Sequence, residues 1–157
     1  MQGPKTSLAV PARLPLDGFV PVDHPIRIVR RWINHALAKL DAKGGDGPVT
    51  RAAVLQLLHG IRSDRRFIEQ LNYSLLFRWF VELDIGMPML SETAYLRERQ
   101  RLLAREDILA VMNGTIDMAR SAGLLAADHF RPDIQLLQWW LSGAAQEPIR
   151  SATPPTA

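Results

Sequence analysis

The chain has 157 residues, a formal charge of +3, a sequence pI near 9.8, 47% hydrophobic residues and no cysteine. That composition excludes wholesale disorder, a disulfide framework and a thiolate metal site, and the length suits one domain burying about two-thirds of its unfolded surface. No apolar run reaches the ~18 residues that cross a membrane, and the N-terminus lacks the apolar core of a secretory signal, so a cytoplasmic protein is expected.

Charge is unevenly spread. Residues 25–66 carry nine Lys/Arg against three acids, a local +6 that leaves about −3 for the rest. A basic half suits phosphate backbones as partners, and it equally suits a solvated helix face.

Residues 1–22 hold four prolines and no sustained period, and they read as an extended or disordered arm. Asp23 or His24 can cap a first helix with Pro25 at its first position. Ile26, Val29, Ile33, Leu37 and Leu40, with Trp32 and Ala36, form its apolar stripe. Residues 43–48 read as a loop, and Thr50 can cap a second helix through Ala53, Val54, Leu57 and Leu58. Gly60 would end that helix in the left-handed conformation. Ser63 would cap a third helix, from Asp64 to about Leu71, with Phe67, Ile68 and Leu71 inward. Ser74 restarts a fourth through Leu83.

Ser91 or Thr93 opens a fifth helix, charged on most sides and expected to show a solvated face with local ion pairs. A sixth spans about Glu106 to Ala122, with Ile108, Leu109, Met112, Ile116 and Ala119 inward and Gly123 as its stop. Residues 129–137 fit either a short strand or a helix opening at Pro132. Residues 143–157 read as a disordered tail. The predicted fold is all-α: a compact bundle of about six helices containing a helix-turn-helix-like pair.

The stretch Leu58–Phe80, LHGIRSDRRFIEQLNYSLLFRWF, resembles the N-terminal domain of bacterial insertion-sequence transposases, in the insertion-sequence-five (InsH-like) DDE group. Val20–Pro25, Ser91–Leu103 and Ala119–Phe130 resemble the flanking segments of that family in the same order, and the likeness covers about residues 18–142. It implies a helical transposase N-terminal domain over 23–123 and the start of an RNase-H-like catalytic domain over 124–142. It also implies that Asp133 stands at the first of three catalytic carboxylates.

Departures accompany the likeness. The basic segment between the first two helices is short, and Ile134 and Gln135 follow Asp133 where Gly-Thr is usual. The other two carboxylates are not found in the residues that follow. DDE cleavage clamps an in-line displacement between two divalent metals roughly 3.5–4 Å apart, Mg²⁺ in the intact family, and a lone Asp133 cannot hold such a pair. A truncated transposase without its own activity or cofactor is therefore expected.

The resemblance implies binding of double-stranded DNA at terminal inverted repeats. Arg62, Arg65, Arg66 and Gln70, with Glu69, would face the major groove, while Arg27, Arg30, Arg31 and Arg51 would contact phosphates. The alternative is an interaction module pairing with itself or with full-length transposase through an exposed block Leu75–Leu83 and Trp139–Trp140, or a remnant without function. His24, His35, His59 and His129 lack metal-ligand spacing, and Gly44, Gly45 and Gly47 form no phosphate loop.

Overall fold

The second helix is apolar almost all round, and a helix of that kind has to sit inside a bundle. In the computed structural model, which describes residues 16–40, 47–84, 88, 90–123 and 132–142, that is its position. A 3₁₀ turn, Leu16–Phe19, precedes seven helices: α1 Ile26–Ala38, α2 Gly47–His59, α3 Asp64–Tyr73, α4 Leu75–Val81, α5 Glu92–Ala104, α6 Asp107–Ser121 and α7 Ile134–Leu141. Helix α2 packs against α4, α5, α6 and α7, and Ala52 through Leu57 are all buried. The described residues contain helices and no strand, as the sequence patterning predicts.

Most boundaries follow from local chemistry. The Oγ atoms of Ser63, Ser74 and Ser91 accept from the backbone N–H of Arg66, Phe77 and Ala94, each satisfying an amide that a helix start leaves open. Ser74 serves twice, since its own N–H closes α3 on the carbonyl of Gln70. At the start of α1, His24 Nδ1 accepts from the N–H of Ile26. Gly123, at φ +72, follows the end of α6 as a left-handed residue.

Three expectations need correction. Thr50 is not a cap: α2 begins at Gly47, and Thr50 is buried inside it. Pro48 falls in the first turn, where its missing N–H costs nothing. The last part of the expected arm is structured, because Leu16 and Val20 are buried and the 3₁₀ turn packs on α4. The block Leu75–Leu83 is no exposed surface either. Phe77, Trp79, Phe80 and Val81 are core, as is Trp140, with Leu75 the exception at 42% exposure.

The segment 132–142 resolves its ambiguity as α7, whose Leu136, Leu137 and Trp140 join the same core as α2. Residues 1–15, the loop 41–46, residues 85–87 and 89, the first part of the expected catalytic-domain start (124–131) and the tail 143–157 lie outside the described residues.

Candidate functional site

The chain between α2 and α3 is fixed from both ends. Helix α2 closes in a Schellman arrangement: the N–H of Ile61 reaches the carbonyl of Gln56 at 3.2 Å, and that of Gly60 reaches Leu57 at 3.3 Å. This geometry puts Gly60 at φ +58, where a side chain is strained. Ser63 then caps α3. The result is a three-residue turn, Ile61 to Ser63, with Arg62 at its centre.

Beneath the turn lies a buried polar hub. The side-chain amide of Gln56, fully buried on α2, donates to the carbonyl of Ile61 at 2.9 Å and to Asp64 Oδ1 at 2.8 Å. Its oxygen accepts from the Tyr95 hydroxyl at 2.7 Å and from Arg99 Nη1 at 3.2 Å. Arg99 also forks onto the carboxylate of Asp64, at 2.7 and 3.3 Å. Its guanidinium lies 4.1 Å from the ring of Trp140 on α7. Burial raises the pKa of the Tyr95 phenol far above its usual value, so it stays a neutral donor to Gln56. The hub joins α2, the turn, α3 and α5 through bonds whose geometry leaves little freedom.

Arg99 was not legible as a site residue. The expectation of a solvated face on α5 fails there, because Arg99 is 1% exposed, and at Asp107, which is 5% exposed at the start of α6. The signal was its spacing: Arg99 stands four residues after Tyr95 and three before Leu102, on the buried stripe of α5.

The candidate DNA-contacting residues fall into two groups. On α3, Phe67, Ile68 and Leu71 are buried while Arg65, Arg66, Glu69 and Gln70 are exposed. Arg65 and Glu69 pair across one helical turn at 3.5 Å, both well exposed, which contributes little. Arg62 is held by α7: Nε lies 3.0 Å from Asp133 Oδ2, and Nη2 lies 3.3 Å from Asp133 Oδ1 and 3.1 Å from Gln135 Oε1.

The α1 and α2 arginines are elsewhere and mostly engaged. Arg27 bonds the Asp17 carboxylate and the carbonyls of Asp17, Val20 and Pro21, pinning the N-terminal turn. The hydrogen bond from Arg27, and then that from Trp79, holds the Asp17 carboxyl below its usual pKa. Arg30 pairs with Glu82 at 3.0 Å and lies 4.5 Å from the Trp79 ring centroid. Arg51 bonds Asn34 at 2.8 Å and also faces Glu82. Arg31 is exposed and lines a cleft of about 480 Å³ with Ile28, Trp32, His35 and Met118. Helix α1 packs chiefly on α6, whereas α3 packs on α4 and α5.

Asp133 does not present a metal site. It is the N-cap of α7, accepting from the N–H of Leu136 at 3.0 Å, with both oxygens turned to Arg62. A divalent cation there would meet a guanidinium, and the described residues hold no group of three potential ligands. The donors present do not fit the Mg²⁺ of the intact family. No helix among the described residues is long and apolar enough to cross a membrane.

Neither the curated proteins nor the solved structures give a match to this chain. A comparison with protein-family models does: residues 14–101, from the N-terminal turn into α5, match the family described as Transposase domain (DUF772). The match bears out the resemblance of Leu58–Phe80 to a transposase N-terminal region and spans more than half of the sequence. The chain therefore belongs to the transposase-domain family, and its role is transposase-related.

Proposed function

We propose that this chain is a DNA-engaging helical domain of an insertion-sequence transposase, and that the outward face of α3 meets the terminal inverted repeats of the element. The observation that carries this reading is the two-sidedness of α3. Three apolar side chains anchor it while Arg65, Arg66, Glu69 and Gln70 project to solvent. The Gln56–Asp64–Arg99 hub fixes its first turn.

A helix of this kind fits the major groove, which is about 12 Å wide. Arg66 and Gln70 lie one turn apart on the same exposed face, suited to guanine O6/N7 and adenine N6/N7 respectively. Arg65 and Arg31 serve as phosphate contacts. Arg27, Arg30 and Arg51 act through their field while their guanidinium groups hold the fold. Engagement of this kind uses no metal, so chelators leave it unchanged.

The test is fluorescence anisotropy on duplexes carrying the inverted repeat and on scrambled duplexes. Salt-sensitive binding, tighter on the repeat, supports the reading. Absence of binding to either duplex at low salt rejects it.

A further inference from the structure

The guanidinium of Arg62 is engaged by a partner from far along the sequence. Asp133 lies 71 residues away. Its carboxylate takes Arg62 in a forked pair, and Gln135 accepts from the same guanidinium. The main chain joins in, since the N–H of Asp133 donates to the carbonyl of Leu57 at 2.8 Å in the last turn of α2. Asp133 Oδ2 also stands over Gly60, 3.6 Å from where a Cβ would be. The N-terminus of α7 is thus seated directly on the turn that leads into α3. Its other end reaches the hub, where the Trp140 ring lies against Arg99.

We propose that α7 is a latch on the turn: Asp133 and Gln135 hold Arg62 in the place of a DNA phosphate, so that duplex binding and α7 docking compete for one guanidinium. The inference rests on the α3 reading above and adds a regulation of that same site. A carboxylate and a phosphate present the same kind of oxygen pair to the planar fork of an arginine. With α7 docked, Arg62 is neutralised and the Asp133 charge faces an approaching backbone. With the Asp133–Arg62 pair opened, Arg62 joins Arg65 and Arg66 at the start of α3. Because the coupling is reciprocal, bound duplex weakens the docking of Asp133 on Arg62 by the same factor by which that docking weakens duplex binding.

Asp133→Asn separates the latch from the helix cap, since asparagine caps a helix as well as aspartate but carries no charge. In the full chain, this variant is expected to bind the inverted-repeat duplex roughly threefold to fivefold more tightly. Its log–log salt dependence should be steeper by about 0.9, one additional neutralised phosphate. Asp117→Asn, on the exposed surface of α6, removes the same charge away from the turn and is expected to change neither quantity. Combining Asp133→Asn with Arg62→Ala should abolish the gain. Hydrogen exchange gives a second readout, because duplex should speed exchange at the Asp133 and Leu137 amides of the wild-type chain.

A wild-type chain that binds duplex while Asp133→Asn matches Asp117→Asn overturns the latch and leaves the α3 reading standing. So does a gain that survives Arg62→Ala, or α7 exchange that duplex does not change. A chain that binds no duplex in any form overturns both.

Discussion

Arg99 and Asp64, 35 residues apart in sequence, meet in a forked pair whose shorter bond is 2.7 Å, directly beneath the turn into α3. Gln56 lies between them and bonds both. The side chain that fixes the start of α3 therefore comes from α5, which packs on both α2 and α3.

Arg99→Ala should be among the most damaging single changes in the protein. It leaves Asp64 and the Gln56 oxygen short of donors and removes the packing on Trp140. Breaking a buried pair costs about 3–5 kcal/mol, and with the Asp64 side chain 21% exposed the loss should be about 3 kcal/mol by urea denaturation. Tyr95→Phe should cost only about 1 kcal/mol, since Arg99 still serves the Gln56 oxygen.

At Gly60 the cost is conformational. A Cβ would find room, with Asp133 Oδ2 at an ordinary 3.6 Å, but φ +58 strains any L side chain. Gly60→Ala should lower stability by about 1 kcal/mol, and Gly60→Asn by less, because asparagine tolerates the left-handed region. A thermal-melt comparison of the two variants checks the order.

Acid should release the N-terminal turn before it unfolds the bundle. The Asp17 pKa lies below its ordinary 3.8 in the folded chain, owing first to the Arg27 hydrogen bond and then to that of Trp79. A depressed carboxyl contributes stability that is present above 3.8 and is lost as pH falls through that value and on through the folded pKa. NMR of the Trp79 Nε1–H, which donates to Asp17 at 3.1 Å, should show a transition in that acid range. Asp17→Asn should remove it.

What the sequence made legible were the features decided within a few residues. The caps at Ser63, Ser74 and Ser91, the left-handed Gly60 and the buried side of α3 are local chemistry, and each stands where expected. What it hid depends on partners far along the chain. Arg99 reads as one more surface charge until Gln56, 43 residues earlier, is placed beside it. Leu16 and Val20 read as part of a proline-rich arm until Asp17 meets Trp79, 62 residues later. Arg62 reads like its neighbours Arg65 and Arg66, although α7 holds it and leaves the other two exposed.

Contact between DNA and the exposed face of α3 should depend on Arg65 and Arg66, so the decisive variant is Arg65→Ala/Arg66→Ala. Both side chains lie outside the core, so the double variant should melt with the wild type. Anisotropy on the inverted-repeat duplex across a salt series should show at least roughly tenfold weaker binding, since one base contact is worth about 1–3 kcal/mol. The salt slope should flatten by about 0.9 for each phosphate that is no longer neutralised. A double variant with wild-type affinity and an unchanged salt slope would contradict the assignment of α3 as the DNA-contacting helix.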